Sequence, residues 1–256
     1  MLEPLLYILV GVIASLLGSM VGLGGGSIAV PALYCFGVGI EHAVASSKFM
    51  VLVTSAVSTY RYSKKLRIPL KLYSIIALPM ILTSYLGAYL VVVVPSNLLT
   101  IIVGLVLLAA AIRAIVESGA GRRVIEEYES KRNYLLGALS GFVAGIVAGI
   151  TGLGGGVVNV PMFLYVLSLP AHSVVSLSMA CILPAALSST IRHVIDRIIL
   201  WKVALPLSVG AILGAWFGPK IALKLSRRKL RKFIGIILAA VVLRMIIQAI
   251  LTLNAF

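Results

Sequence analysis

The chain has 256 residues, of which 61% are hydrophobic and only 11% are charged, and its mean hydropathy is +1.14. A soluble domain carries about 25% charged residues, so this chain has too few charges to cover a water-facing surface. The composition excludes a soluble enzyme, a disordered chain and a small disulfide-stapled protein. At about 20 apolar residues per crossing, the sequence supplies roughly eight membrane crossings. We predict an all-α, polytopic membrane protein embedded in the lipid bilayer.

The formal net charge of +15 also fits a membrane protein. Basic residues stand between the apolar runs, as expected for cytoplasmic loops that set orientation, so no nucleic acid partner is expected. Cys35 and Cys181 lie in apolar stretches, and no Cys/His spacing is typical of a metal site. We therefore expect no metal and no cofactor. The first twenty residues lack a basic start, and we interpret them as a mature transmembrane helix.

The chain contains an internal duplication. The segment GLGGGSIAVP at 22–31 returns as GLGGGVVNVP at 152–161, with seven of ten positions identical. Similarity continues beyond these motifs, which indicates two copies of one unit. We predict an N-terminal transmembrane repeat at 1–116, a cytoplasmic polar linker at 117–133 and a C-terminal transmembrane repeat at 134–256.

Each half contains five apolar segments, and the second segment differs from the others. It is short, begins with a glycine run and contains a proline, so we predict a broken or re-entrant helix there. The segments lie at about 4–22, 23–40, 43–60, 72–94 and 98–116 in the first half and at about 134–151, 153–168, 173–191, 203–219 and 233–253 in the second.

The distribution of basic residues favours opposite orientations for the two halves. If the short segment crosses, each half has an odd number of crossings and the halves are inverted; if it does not, they are parallel. With the N-terminus outside, inversion places the basic clusters at 61–71, 117–133 and 220–232 inside. The parallel arrangement moves the last cluster outside. The positive-inside rule therefore favours inverted repeats.

The glycine runs are the first candidate substrate-binding residues. A helix break exposes backbone N–H groups and a helix N-terminus, which carries a partial positive charge and prefers anions. Pro31 and Pro161 would shape the same segments. Small residues also permit tight helix packing, which is the alternative explanation. The glycines are Gly24, Gly25, Gly26, Gly154, Gly155 and Gly156.

Lys48 is the most informative charge, because it lies within an apolar segment with no other charge until Arg61. An ammonium group at membrane depth should face a cavity or a partner. The sequence leaves two interpretations open: an ion pair with Glu41, two helical turns earlier, or contact with an anionic substrate. The second half has Ser178 at the matching position.

Further polar residues accompany the glycine motifs. Ser46, Ser47 and Ser176 are candidates to line the substrate path, because hydroxyl groups can bind anion oxygens, although they can equally bond neighbouring helices. Asn159 follows the second glycine run and is a further candidate.

His42 and His172 open the third segment of each half. With Glu41 they could relay protons, because a histidine changes charge near neutral pH. The alternative is that both are polar residues at the membrane interface. Apart from Glu41, no acidic residue is well inside an apolar segment, so the solute is expected to be a small anion rather than a cation.

The two GxGGGxxxVP segments, each followed by a helix bearing His and Ser, resemble the TauE/SafE family, whose members are also called sulfite exporters. The resemblance covers nearly the whole chain. It implies a carrier in the plasma or inner membrane that moves sulfite, sulfoacetate or other small sulfur-containing anions outward. The glycine runs and Pro31 and Pro161 match the family's motif.

The functional prediction is a secondary transporter that works by alternating access between two repeats, and the resemblance implies that it is an exporter. An anion channel and a membrane scaffold without transport activity are the alternatives. An enzyme acting on lipid phosphate is disfavoured, because four of the seven acidic residues lie in the linker. A homo-oligomer is compatible with the sequence.

Overall fold

The computed structural model describes residues 2–96, 98–99, 101–102, 105 and 131–225. These residues form long helices and no strand, so the predicted all-α, polytopic architecture is confirmed. The helices are α1 (Leu2–Val21), α2 (Gly26–Cys35), α3 (Ile40–Ser63), α4 (Leu70–Val93), α5 (Lys131–Thr151), α6 (Gly156–Pro161) with a π-helical turn (Met162–Val166), α7 (Ala171–Ile195) and α8 (Trp201–Lys224). The fifth apolar segment of each half and most of the linker lie outside the described residues, apart from a few positions near 98–105.

The helix bounds agree with the predicted segments to within a few residues. The largest differences are at α2, which ends at Cys35 where the predicted segment ends at 40, and at α8, which continues to Lys224 where the predicted segment ends at 219. The last three residues of the predicted linker belong to the first turn of α5. Prolines mark two of the helix starts: α4 follows Pro69 and α7 follows Pro170. A proline suits these positions because the first N–H groups of a helix have no partner within the helix.

Five of the described helices, α1, α4, α5, α7 and α8, are long and apolar enough to cross a membrane. The outer face of α4 illustrates the surface that lipid would cover, since Leu78, Leu82 and Leu86 are 59–69% exposed at a spacing of four residues. The helix α3 is as long as α4 but carries more polar side chains, and most of these are buried. The polar residues therefore face the centre of the protein.

The first helix of the first half packs along the fourth helix of the second half. Ile8 at the start of α1 contacts Gly210, and Ser19 at its end contacts Gly218, so α1 and α8 run parallel. A Cβ atom on Gly210 would lie 2.0 Å from the carbonyl oxygen of Ile8. The glycine therefore permits a backbone approach that no side chain would allow.

The other first and fourth helices pack in the same way. Gly141 on α5 contacts Ile76 on α4, and Gly149 contacts Ala88, so these two helices also run parallel. A Cβ atom on Gly141 would lie 2.2 Å from the carbonyl oxygen of Ile76. Each half thus packs its first helix against the fourth helix of the other half.

The third helices run in opposite directions. His42 at the start of α3 donates a hydrogen bond from Nδ1 to the carbonyl oxygen of Ile198, just beyond the end of α7 (2.8 Å). At the opposite end, Pro69, which follows α3, and Ser173, near the start of α7, line one cleft. The start of α3 therefore lies beside the end of α7, and the end of α3 beside the start of α7.

The short helix α2 turns back along α1. Phe36 follows the end of α2, and its ring lies 6.3 Å from the ring of Tyr7 near the start of α1. At the other end of α3, the hydroxyl of Tyr62 donates to the carbonyl oxygen of Ser19 near the end of α1 (2.9 Å). The chain therefore runs toward one face of the protein along α1, runs back along α2, and runs toward the first face again along α3.

The close helix packing gives a stability prediction. Gly210→Ala should lower the free energy of unfolding by about 1–3 kcal/mol, because overpacking a tight contact forces the backbone apart. The measurement is thermal unfolding of the purified protein in detergent. The matched control is Gly39→Ala, where φ is −52° and a Cβ atom would meet only the ring of His42 at 3.7 Å. Equal melting temperatures for the two variants would contradict the packing described here.

Candidate functional site at the junction of the glycine breaks

Both glycine motifs interrupt a helix through left-handed backbone. Three glycines in each motif have φ between 70° and 90°, a conformation that residues with a Cβ atom rarely adopt. They are Gly22, Gly24 and Gly25 in the first half and Gly152, Gly154 and Gly155 in the second. Backbone conformation therefore requires glycine here, in addition to any requirement of packing.

The two breaks meet at the centre of the protein. A Cβ atom on Gly26 would lie 2.2 Å from the carbonyl oxygen of Gly152, and one on Gly156 would lie 2.1 Å from that of Gly22. We call this contact between residues 22–26 and residues 152–156 the junction. The contact is reciprocal, since each pair joins the first glycine of one motif to the last glycine of the other.

The middle of the third helices covers the junction. Val51 of α3 and Ile182 of α7 both lie within 4 Å of a Cβ atom built on Gly24 and of one built on Gly154. All five residues of each break are buried. The junction is therefore enclosed in this conformation. It lies beside the midpoints of α3 and α7.

Lys48 and Ser178 form equivalent hydrogen bonds on the two sides of the junction. The Lys48 ammonium group on α3 donates to the carbonyl oxygen of Ala148 in the last turn of α5 (2.6 Å). The hydroxyl of Ser178 on α7 donates to the carbonyl oxygen of Gly22, just after α1 (2.7 Å). Each side chain thus binds a carbonyl group at the end of the other half's first helix, and the Ala148 carbonyl also accepts the N–H of Gly152 (3.1 Å).

Lys48 is fully buried, and its position is electrostatically favourable for a cation. The C-terminal end of a helix carries a partial negative charge, and the ammonium group lies at that end of α5. In the described part of the chain Lys48 bonds no carboxylate. Glu41, the partner considered from the sequence, instead accepts a hydrogen bond from the hydroxyl of Ser96. The ion pair between Lys48 and Glu41 is therefore not formed.

The serines beside Lys48 are buried and close to the junction. The hydroxyl of Ser47 donates to the carbonyl oxygen of Val44 (2.9 Å) and lies 3.0 Å from a Cβ atom built on Gly152. The hydroxyl of Ser46 accepts the N–H of Leu200, in the turn before α8 (3.2 Å). Ser47 therefore adjoins the junction, whereas Ser46 faces the turn between α7 and α8.

Asn159 and Ser176 occupy two different environments. The Asn159 amide accepts a hydrogen bond from Ser140 (3.1 Å) and donates to the sulfur of Met80 (3.5 Å), so it joins α6 to α5 and α4. The buried hydroxyl of Ser176 has no hydrogen-bond partner. Of these two predicted residues, Ser176 has free capacity to bind a ligand in this conformation.

His42, His172 and Glu41 lie at helix starts, away from the junction. His172 donates from Nε2 to the carbonyl oxygen of Leu225, beyond the end of α8 (3.1 Å), while His42 binds Ile198. All three are only partly buried. The structure thus groups them with the ends of the helices and not with the glycine motifs.

The two prolines differ in their surroundings. Pro31 is buried within the continuous helix α2. Pro161 ends α6, and the π-helical turn at Met162–Val166 follows it directly. The second break is therefore followed by a further irregularity that the first break lacks and that the repeat in the sequence did not indicate.

Several buried polar side chains near the third helices have no hydrogen-bond partner. His193 is the most unusual, because both of its ring nitrogens are buried and unbonded. Sequence reasoning missed it, since it follows Arg192 near a helix end and resembles an interfacial residue. Among the residues that the structure describes, the side chains in this condition are Ser27, Ser58, Thr59, Ser176, Thr190, His193 and Ser208.

A basic cleft of about 350 Å³ opens where α3 and α8 end. It has five cationic side chains and no acidic one among its lining residues, and the Arg61 guanidinium group stacks on the ring of Trp216 at 4.4 Å. The sequence identified these residues only as orientation signals. The lining residues are Arg61, Lys64, Lys65, Pro219, Lys220, Leu223 and Lys224.

Comparison with known proteins gives a consistent result over nearly the full length. The chain is 26% identical to the probable membrane transporter protein YunE of Bacillus subtilis, over 93% of this chain and 94% of that protein. It is 29% identical to a probable membrane transporter protein of Methanocaldococcus jannaschii, over 96% of both chains. A probable membrane transporter protein of Xylella fastidiosa is 24% identical over 93% of this chain and 91% of its own length. No solved structure gives a significant match.

The sequence model of the sulfite exporter TauE/SafE family matches residues 7–245. This span includes both glycine motifs, the linker and every described helix from α2 to α8. With the names of the relatives and the apolar helices, it identifies a multi-pass membrane transporter of the cell membrane. The chain belongs to the sulfite exporter TauE/SafE family.

Proposed function

We propose that the protein is a secondary transporter that exports small sulfur-containing anions, such as sulfite, sulfoacetate and other organosulfonates. The observation that carries this proposal is the Lys48 ammonium group, which is fully buried near the junction and bonds no carboxylate among the described residues. A buried cation without a counter-charge attracts an anion strongly, because the surroundings screen it poorly.

The helix starts at the junction add to this attraction. The residues that precede α2 and α6, Gly25 and Gly155, form no side-chain cap. The first N–H groups of α2 and of the continuous helical segment Gly156–Val166 are therefore available to a ligand, as backbone donors with a favourable dipole. Ser47 and Ser176 would supply hydroxyl groups to the oxygens of a sulfite or sulfonate group.

We infer that the two halves are inverted repeats. The antiparallel course of α3 and α7 and the exchange of first and fourth helices between halves support an approximate two-fold axis in the membrane plane. Transporters built in this way place the substrate between the repeats, near the middle of the membrane. The reciprocal contact between the two breaks lies where such an axis would pass.

The enclosed junction is the reason to propose alternating access. Every residue of the two breaks is buried, as is Lys48, so a solute cannot reach them without helix movement. Rocking one half against the other would open the junction to one side at a time. The basic cleft lies on the face predicted to be cytoplasmic, where its cations would raise the local concentration of anions before export.

The direct test is flux through the purified protein in liposomes. Labelled sulfite and an alkanesulfonate should move down their gradients, faster than through vesicles without protein, and the rate should saturate with concentration. A rate that rises without saturation would identify an anion channel instead. No flux for any of these anions would contradict the proposal.

Lys48→Met should raise the Kd for sulfite by about 30-fold or more, because removing one partner of a buried charge contact costs about 2 kcal/mol or more. The measurement is isothermal titration of the detergent-solubilised protein. The control is Lys202→Met, which removes an exposed cation at the start of α8. Sulfite affinity that is unchanged in Lys48→Met would remove this residue from the site.

The basic cleft predicts a dependence on salt. Combined Lys64→Gln, Lys65→Gln and Lys220→Gln should slow flux at low ionic strength, when the anion enters from the face of the cleft. The difference should vanish near 1 M salt, where charges more than about 3 Å apart are screened. The control is the double variant Arg197→Gln and Lys202→Gln. These residues lie where α7 ends and α8 begins, on the face opposite the basic cleft. A defect that is equal at every salt concentration would contradict electrostatic attraction.

A further inference from the structure

His193 lies in the last turn of α7 and is fully buried. Neither of its ring nitrogens has a hydrogen-bond partner, and the hydroxyl of Thr190, one turn earlier on the same helix, also has none. A buried polar group without a partner costs about 1–3 kcal/mol, and most such groups are bonded. Two such groups on one face of α7 indicate a site that binds a ligand in another conformation of the protein.

The backbone around His193 places it between the junction and the face where α3 begins. The N–H of Ile198 donates to the carbonyl oxygen of His193 (3.3 Å), and His42 at the start of α3 binds the carbonyl oxygen of Ile198. The junction lies further along α3, at the level of Val51. A solute that leaves the junction toward this face would therefore pass near His193.

The charged groups that act on the imidazole are both cations. They are Lys48, from α3, and Arg192, the preceding residue on α7. Arg192 is neutralised by two hydrogen bonds to the carboxylate of Asp196 (2.7 and 2.9 Å) and lies over the ring of Tyr89. Lys48 is therefore the unneutralised charge near His193 within the described residues.

We propose that His193 and Thr190 form a second contact for the transported anion, between the junction and the face where α3 begins, and that His193 binds it in the protonated state. This inference rests on the proposed function. The imidazole takes one proton from a hydronium ion of the surrounding solution as the anion arrives, which leaves a water molecule. Its N–H and the Thr190 hydroxyl donate to two anion oxygens, and the proton returns to water when the anion leaves. Apart from this proton transfer, no covalent bond changes.

The linkage between proton and anion fixes the sign of the pH dependence. Without an anion, burial opposes a positive charge on His193, because no counter-charge among the described residues stabilises it. A bound anion supplies that counter-charge, so the anion favours the protonated imidazole and the protonated imidazole favours the anion. Affinity for an anion of constant charge should therefore rise as the pH falls from about 8 to about 5.

The test is binding of an alkanesulfonate, whose charge is constant over this range, to the full-length protein by isothermal titration at several pH values. Wild-type affinity should rise by about tenfold toward acidic pH, a change of about 1.4 kcal/mol. His193→Gln, which keeps hydrogen-bonding capacity but cannot take up the proton, should bind weakly, and its affinity should rise less toward acidic pH than that of the wild type. The matched control is His172→Gln, at the start of the same helix, which should keep the wild-type profile.

A second variant guards against misfolding. Thr190→Val has nearly the same shape as the wild type and should weaken binding several-fold, with a melting temperature equal to or above that of the wild type, because an unbonded hydroxyl is removed. A wild-type pH profile in His193→Gln, or unchanged binding in Thr190→Val, would overturn the inference while the proposed function stands. Wild-type protein that binds no sulfonate or sulfite would overturn the proposed function and this inference together.

Discussion

The backbone contact between the two glycine breaks is the constraint on which the rest of the structure depends. Gly26 against Gly152 and Gly156 against Gly22 leave no room for a side chain, and the left-handed glycines beside them provide the turns that bring these backbones together. This contact holds the start of a short helix from each half at one point. It also fixes the ends of α1 and α5, and with them the carbonyl groups that Ser178 and Lys48 bind.

A membrane interior makes these polar groups costly, and their placement explains how the protein tolerates them. Lys48 lies at the negative end of α5 and bonds a carbonyl group there, so its charge is stabilised without a carboxylate. A carboxylate partner of Lys48 would repel an anionic substrate and compete with it for the ammonium group. An uncharged carbonyl group would do both more weakly. Under the proposed function, the same interaction would hold the enclosed state together and be exchanged when an anion arrives.

Much of the fold could be predicted from the sequence because it is recorded in local patterns. Apolar runs predicted the eight helices of the described residues with bounds that differ by up to about five residues, and the doubled glycine motif indicated both breaks. Partners across the structure were not predictable in this way. Glu41 lies two helical turns before Lys48, so the sequence offered it as a partner. The actual partner is Ala148, a hundred residues away, because α5 ends beside α3. His193 was missed for the same reason: only the packing of α7 buries it. The π-helical turn after Pro161 has no counterpart in the first half, and the repeat alone gave no sign of it.

We propose that an anion binds at the junction, beside Lys48 and between the two breaks. The most direct measurement is a crystal structure with selenite, an analogue of sulfite whose selenium can be located by anomalous scattering. We expect a selenium peak at the junction, placed so that the selenite oxygens lie within hydrogen-bonding distance of the Lys48 ammonium group and the first N–H groups of α2. Selenium found only in the basic cleft, with the junction still closed on itself, would contradict it.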